Sequence, residues 1–582
     1  MISLTINDKK ISVPEGFTIL QAANEIGVHI PTLCHLYRKE TGYINRWGTC
    51  RVCMVEAVGR RNLLPACSTN VVEGMEIKTT SRRAVTARRT MVELFLSNHP
   101  KDCLVCEKNR DCELQALAAE LGVRDVKYEG HRSTYKKDTT SASIVRNPEK
   151  CILCRRCETM CNEVQTVGVY SAVHRGFDTV MGTALDSNMI DTPCVFCGQC
   201  VTACPTAALT EVDNTAEVWE ILSDPDLFVV AQTAPAVRAA LGESFSMEHG
   251  SVVTGKMAAA LRRLGFSKVL DTNFAADLTI IEEASELIHR IKNGGRLPML
   301  TSCCPAWVKF MEDNFPDLLD VPSTCKSPHE MFGAIAKTYL AEKLGVAPEK
   351  MRVVSIMPCL AKKYEAKREE LIGENKLPDV DFVLSTRELA RMIKESGIAF
   401  NSLPDEDFDE FMGESAGAGV IFGTAGGVTE ATLRTANVWL GGSSEQVEYK
   451  EIRGSSGIRK ADVTIGDGKI RVAIANGLGN ARALLNEIRA GTNDFEMLEI
   501  MACPAGCVGG GGQPYHRNST EILKARTKGI FTEDKNKKLR FSHENPEVLK
   551  LYEEFLGEFY GEKAHKLLHT SYGNKAEMNK TQ

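Results

Sequence analysis

No apolar run in this 582-residue chain approaches the ~18 residues needed to cross a bilayer, so no membrane partner is expected. Neither sign of charge dominates. Lys and Arg number 70 against 76 Asp and Glu, a net −6, which gives no electrostatic case for nucleic acid. Low-complexity tracts are missing, and 43% hydrophobic with 25% charged residues excludes a disordered chain. A secretion signal is missing as well: MISLTINDKK alternates apolar and polar and reads as a strand. The expectation is a cytoplasmic protein of about four domains.

What is abundant is cysteine, 21 of them, unevenly placed. Without a secretion signal a disulfide framework has little support. Repeated C-x-x-C steps point instead to thiolate ligation of metal. Each step holds two sulfurs on one turn, where backbone amides can reach a cluster sulfide. The number and spacing of the groups favour iron over structural zinc.

Residues 1–33 read as strand, Asn7-Asp8 turn, strand and a helix from Thr18 to Ile26. Cys34, Cys50, Cys53 and Cys67 follow, the right count for one [2Fe–2S] cluster; a single zinc fits the long loops too. This first part resembles the β-grasp ferredoxin domain. A helix over 81–98 has Val85, Met91, Leu94 and Phe95 as its expected apolar face. Then come His99, Cys103, Cys106 and Cys112. The histidine precedes three cysteines that lack a fourth partner, so it is read as a ligand. Neutral imidazole in place of thiolate raises a cluster's potential.

Residues 151–161 and 194–204 repeat the pattern C-x2-C-x2-C-x3-C, the second followed by Pro205. This is the two-cluster ferredoxin pattern, in which the fourth cysteine serves the other cluster. One [4Fe–4S] cluster takes Cys151, Cys154, Cys157 and Cys204; the other takes Cys194, Cys197, Cys200 and Cys161. The tally is four accessory clusters: one [2Fe–2S] and three [4Fe–4S]. None of them binds an organic substrate. They make a wire for electrons, and a wire needs a terminus.

From about residue 213 the chain alternates apolar strands with amphipathic helices, as parallel α/β sheets do. The expected strands are LFVVAQTA (227–234), VLDTNFA (269–275), LPMLTSC (297–303), RVVSIMPC (352–359), DFVLST (381–386), GVIFGTA (419–425) and RVAIANG (471–477). A site belongs at their carboxyl ends, where the remaining cysteines lie. Gly477-Leu478-Gly479 imitates a dinucleotide loop, but Arg482 holds the third glycine position, so a tight strand–helix turn is expected. Cys304, Cys359, Cys503 and Cys507 suffice for one more [4Fe–4S] cluster, and glycines 509–512 allow close backbone approach.

TSCCPAW (301–307), MPCLAKKYE (357–365) and MACPAGCVGGGGQP (501–514) resemble the three motifs of the [FeFe]-hydrogenases. The upstream order of cluster units is similar to the large monomeric clostridial type, and LLHTSY (567–572) is similar to the family's C-terminal segment. The resemblance implies an H-cluster: a cubane on Cys304, Cys359, Cys503 and Cys507. Cys507 would bridge to a di-iron subsite with CO, cyanide and an azadithiolate bridge. It implies that Lys362 donates to a cyanide and that Ala234, Pro235, Met357, Pro358 and Met501 line the pocket. It further implies a proton relay from Cys303 through Glu283, Ser323, Glu286 and Arg290. On spacing alone, Glu286 and Arg290 are an i,i+4 pair indistinguishable from a surface salt bridge. Cys325 has no implied role and reads as a buried free thiol. Leu360, Ala505 and Ala236 stand where threonine, glycine and serine are frequent in the family.

The expected architecture is multidomain α/β and α+β. A β-grasp [2Fe–2S] domain spans 1–80, a one-histidine/three-cysteine [4Fe–4S] domain 81–127, a two-cluster ferredoxin-like domain 128–212, and an α/β H-cluster domain with parallel sheets 213–582. The expected reaction is 2 H⁺ + 2 e⁻ ⇌ H₂, with ferredoxin or flavodoxin as electron partner and maturation proteins delivering the di-iron subsite. The alternative is an electron-transfer subunit of a larger oxidoreductase, which shares the cluster order but not the three late cysteine motifs. A relative serving iron–sulfur assembly lacks the full proton path. A hydrogenase subunit of a bifurcating complex keeps the chemistry and changes the partner; its nucleotide sites would lie on other subunits.

Overall fold

A computed structural model describes residues 1–38, 43–45, 47–373, 375–454, 456–517 and 519–573. Two compact units emerge: Met1–Glu163 with Gly168–Thr192 and Cys200–Thr210, and Val164–Val167 with Pro193–Gln199 and Glu211–Gln582.

The first unit opens with β1 (Ile2–Ile6) and β2 (Lys9–Val13), paired antiparallel around Asn7 and Asp8 at φ 46° and 69°. That pair of positive φ values is the tight hairpin turn that Asn and Asp tolerate. Helix α1 (Ile19–Glu25) starts at a reciprocal cap between Thr18 and Gln21. Strands β3 (Met54–Ala57), β4 (Leu64–Pro65) and β5 (Glu76–Lys78) complete a sheet of order β2-β1-β5-β3-β4, with β5 parallel to β1. Leu4, Ile6, Val55 and Ile77 are buried against Ile19, Leu20, Ala22 and Ala23 of α1. Helix α2 (Arg82–Asn98) differs from expectation on its inner face. It buries Ala84, Arg88 and Val92 and leaves Val85 and Leu94 exposed. Arg88 is admitted because its Nε donates to the Met54 carbonyl at 3.0 Å, which supplies the hydrogen bond its burial demands.

In the second unit the strands are β6 (Phe228–Thr233), β7 (Lys268–Asp271), β8 (Met299–Leu300), β9 (Met351–Met357), β10 (Phe382–Ser385), β11 (Ile458–Ile465), β12 (Gly468–Asn476) and β13 (Met497–Met501). One sheet, β7-β6-β9-β10, is parallel throughout. The other, β8-β13-β12-β11, is parallel except for the β11–β12 hairpin. That hairpin makes the second sheet mixed rather than purely parallel.

Two expected strands are corrected. Only VLD of VLDTNFA is extended. Asp271 then accepts from the Asn273 amide at 3.0 Å and caps helix α3 (Thr272–Asn293). GVIFGTA is not a strand; Gly417–Ile421 is helical and wholly buried. A short apolar run buried on every side has no period by which to tell helix from strand. The reason for its glycine is contact: a Cβ on Gly419 would stand 2.6 Å from the Asn273 carbonyl.

Candidate functional site

Cys34, Cys50, Cys53 and Cys67 of the first unit lie together. The Cys34 amide donates to Cys50 Sγ at 3.4 Å, and the Cys67 amide to Cys53 Sγ at 3.5 Å. Contacts among the thiols hold Cys34 and Cys53 below the ordinary thiol range and push Cys50 and Cys67 above it. Four sulfurs this close form a donor set that fits a shared metal centre.

His99 closes α2. Its Nδ1 bonds the Pro100 carbonyl at 2.9 Å, while Nε2 is buried without a partner. A buried ring nitrogen left without a bond is costly, and a metal bond would satisfy it. Cys103 and Cys106 flank one turn after it, and Lys150 Nζ lies 3.3 Å from Cys106 Sγ. Cys112 caps the next helix, near enough to Cys106 to feel its charge.

Cys151, Cys154, Cys157 and Cys204 line one cavity of about 30 Å³. The internal repeat is a repeat of backbone too. Leu153 and Phe196 share φ near 54° and 58°, and Arg155 and Gly198 share 61° and 71°. In both copies the amide two residues on donates to the leading sulfur at 3.4 Å: Leu153 to Cys151, Phe196 to Cys194. Of the other expected set, Cys161 and Cys200 belong to the first unit, Cys194 and Cys197 to the second.

The second unit gathers Cys303, Cys304, Cys359, Cys503 and Cys507 around a cavity of about 80 Å³, several times the ~10–15 Å³ that admits one water. Ala234, Pro235, Met357, Pro358 and Met501 line it, as do three residues with no signature in the sequence: Thr272, His329 and Phe422. All five sulfurs are deprived of water and their thiols pushed up by burial; the charge of Cys304 raises Cys359, Cys503 and Cys507 further. Four thiols that resist ionisation this strongly would give up their protons only to a cation among them, so this donor set also fits a cluster. The glycine run shapes the approach. A Cβ on Gly510 would stand 2.2 Å from the Pro358 carbonyl, and one on Gly511 would stand 2.8 Å from the Gly198 Cα and 2.9 Å from the Cys197 carbonyl. The loop bearing Cys197 therefore lies backbone to backbone against the segment after Cys507.

Lys362 points into the cavity. Its Nζ donates to the Cys303 carbonyl at 3.2 Å and to Glu365 Oε2 at 2.7 Å. Burial works against its charge, but Glu365 more than offsets that and holds the ammonium above its ordinary pKa. Glu365 also meets His329 Nε2 at 2.7 Å. Its i,i+3 spacing from Lys362 was the available signal for this pair.

Glu283, Glu286 and Arg290 share one face of α3. Glu283 is fully buried and neither oxygen has a hydrogen-bond partner. Burial, with the charges of Glu286 and Glu499, pushes its carboxyl up to about 8, tempered by the nearby Ser302 amide and Thr432 hydroxyl. Its charge in turn raises the Cys303 thiol, next after burial. Ser323 Oγ donates to Glu286 Oε2 at 2.7 Å. Arg290 bonds the other Glu286 oxygen and the carbonyls of Val321 and Pro322 at 2.7 and 2.8 Å. Glu286 is 2% exposed, so the i,i+4 pair is no surface salt bridge. Gly477-Leu478 is a strand–helix turn whose Leu478 amide is taken by Gln165 Oε1 at 3.0 Å.

Several known proteins are similar to this chain. A model described as iron only hydrogenase large subunit, C-terminal domain, matches residues 227–511, and one for iron hydrogenase small subunit matches 520–575. Ahead of them, a 2Fe-2S iron-sulfur cluster binding domain matches 1–82, an NADH-ubiquinone oxidoreductase-G iron-sulfur binding region 88–127, and a 4Fe-4S dicluster domain 128–208. The NADP-reducing hydrogenase subunit HndD of Solidesulfovibrio fructosivorans is 55% identical over 99% of this chain and 100% of its own length. Iron hydrogenase 1 of Clostridium pasteurianum is 38% identical over 98% and 100%. The solved apo [FeFe]-hydrogenase HydA1 of Chlamydomonas reinhardtii superposes with a TM-score of 0.57 at 41% identity, covering 62% of this chain and 99% of that one.

Proposed function

The chain belongs to the iron-only, or [FeFe], hydrogenase family, and from that premise we propose that it interconverts protons and electrons with H₂ at the five-cysteine cavity of its second unit. The observation that carries this reading is the meeting of four ligand-type sulfurs, a non-ligand thiol and a buried ammonium around one cavity of about 80 Å³. Cys304, Cys359, Cys503 and Cys507 would hold the H-cluster, which when bound supplies the site of heterolytic H₂ chemistry. The rest is work for the protein. Lys362, pinned by Glu365 and the Cys303 carbonyl, presents positive charge to an anionic ligand. Ala234, Pro235, Met357, Pro358, Phe422 and Met501 exclude water. The Cys303 thiol exchanges a proton with Glu283, whose pKa near 8 lets it both accept and release one at neutral pH. Ser323, Glu286 and Arg290 carry the proton outward.

Electrons would enter by the Cys197 loop, whose backbone abuts Gly511. The accessory ligand sets would be Cys34, Cys50, Cys53 and Cys67 for the [2Fe–2S] cluster; His99, Cys103, Cys106 and Cys112; and the two interleaved ferredoxin-type sets. Ferredoxin is the proposed carrier. A second reading changes the partner: the full-length relative HndD is a subunit of an NADP-reducing hydrogenase. On that reading nicotinamide chemistry belongs to another subunit, and the dinucleotide-like turn at 477–479 is already taken by Gln165.

The test is H₂ evolution from reduced ferredoxin and from reduced viologen. Infrared bands of metal-bound CO and cyanide should appear only in protein made with the di-iron maturation enzymes. Protein made without them should carry about 18 irons and evolve no gas. Activity from that preparation overturns the cofactor assignment.

A further inference from the structure

The segment 568–572 closes over the middle of α3. Leu568 and Thr570 exchange backbone hydrogen bonds with Lys326 and Thr324, Cys325 pairs with His569 as an isolated bridge, and Tyr572 donates to the Ser323 carbonyl at 3.0 Å. This contact places His569, a residue with no part in the relay described above, beside Glu286. Ligand-type atoms of Glu286, Cys325 and His569 all lie within 4.8 Å of one another, and all three residues are buried. The imidazole is oriented from both sides. Nε2 meets Glu282 Oε2 at 2.8 Å, and Nδ1 meets Thr324 Oγ1 at 2.8 Å. A carboxylate can only accept, so Nε2 carries a hydrogen, and in the neutral ring Nδ1 then holds the lone pair. Glu282 is itself held by the Tyr552 hydroxyl and the Tyr560 amide. Outward, the His569 ring stacks on half-buried His565 at 4.1 Å between centres. Among the described residues the other titratable groups near this spot are Arg290, on Glu286, the Cys325 thiol, the Tyr560 ring 5.5 Å from His569, and Tyr572.

We propose that His569 gives the relay a second outlet at Glu286, parallel to Arg290; the proposal rests on the hydrogenase reading. In the step, protonated Glu286 loses its O–H proton and the His569 Nδ1 lone pair takes it, directly or through the Thr324 hydroxyl. Carboxylate and imidazolium result, and the Glu282 carboxylate balances the new charge. Histidine is the side chain whose ordinary titration spans neutral pH, which suits a group that must both load and unload. The arrangement explains why an imidazole is held by a carboxylate deep under the C-terminal segment, one ring from half-buried His565. Because His569 acts only through Glu286, its test needs more than a rate.

Viologen-driven H₂ evolution should be compared across pH in the matured wild type, Arg290→Met, His569→Gln and the double variant. Gln preserves hydrogen bonding to Glu282 and Thr324 without titrating. Parallel outlets predict losses of about fivefold or less for each single change and about a hundredfold for both, well beyond the product. The pH profile that Arg290→Met shares with wild type should change in the double variant. In protein lacking the di-iron unit, the infrared carboxyl stretch of Glu286 should shift on His569→Gln, since the group that takes its proton is gone. If His569→Gln fails to bind its iron, Glu282→Gln replaces it in the same comparison. Losses that merely multiply, with no carboxyl shift, overturn the second outlet while leaving the hydrogenase reading intact. A wild type that evolves no H₂ overturns the reading itself.

Discussion

Glu283→Gln separates the two things that a buried carboxyl does. In the native protein this group titrates at about 8, pushed up by burial and by Glu286 and Glu499. In the unfolded chain it titrates near 4.5. Between those values the folded state binds the extra proton, so its stability is present below about pH 4.5 and lost as pH rises toward 8. The gap is three to four pH units at ~1.4 kcal/mol each, or roughly 4–5 kcal/mol as an upper bound. Glutamine keeps the shape and cannot ionise. Its unfolding midpoint should therefore lie close to wild type at pH 5 and above it at pH 9. Catalysis should move the other way, because the hop from Cys303 loses its acceptor. A fall of about 10²–10³ in H₂ evolution is expected, with iron content unchanged. The assay pairs urea unfolding at three pH values with viologen-driven gas evolution. Parallel stability profiles would refute the raised pKa; near-normal evolution would refute the relay, whatever the stability data show.

Three further outcomes are expected. Cys303→Ala should remove most turnover, by about 10² or more, while metal analysis stays at the wild-type value; full activity would reject the thiol as a carrier. His99→Ala should change the electron paramagnetic signal and potential of one accessory cluster only, and unchanged spectra would mean that the orphaned Nε2 is not a ligand. Ala505 holds φ +66°, a left-handed conformation that costs a side-chain-bearing residue about 1 kcal/mol, so Ala505→Gly should raise stability by roughly 0.5–1 kcal/mol in a denaturation experiment, and a loss would show that the methyl packs better than the backbone strains.

Local chemistry was the readable part. Asn7-Asp8 announced its hairpin, Thr18 and Gln21 their cap, and the cysteine spacings their loops, because each depends on neighbours within a few residues. The repeated φ values at Leu153 and Phe196 show how far such local rules reach. GVIFGTA failed because burial on every side erases periodicity. Val85 and Leu94 failed because the first unit buries Arg88 on a hydrogen bond instead of an apolar residue. The cavity lining by Thr272, His329 and Phe422 had no signature at all. These residues meet only through strands and helices far apart in sequence.

Helix α3 makes the point most sharply. Read alone, its acids look like the solvated side of an amphipathic helix, and Glu286 with Arg290 like an ordinary surface pair. The fold buries that side instead, with Glu282 and Glu283 wholly inaccessible and Glu286 2% exposed. The reason lies almost 300 residues later, where Tyr552, His569 and Tyr572 lie over the same face. A carboxyl is buried without a partner, as Glu283 is, only at a cost in stability, and nothing local offsets it. The reward is functional: out of water, a carboxyl can be brought to the pH at which it trades protons, and its neighbours can be fixed within one hop. The covering segment is the part matched to a hydrogenase small subunit. Its contribution to the reaction is therefore expected to be the environment of the relay, and truncation before Glu562 should let Glu283 titrate nearer the ordinary carboxylate range and slow proton delivery without removing any cluster ligand.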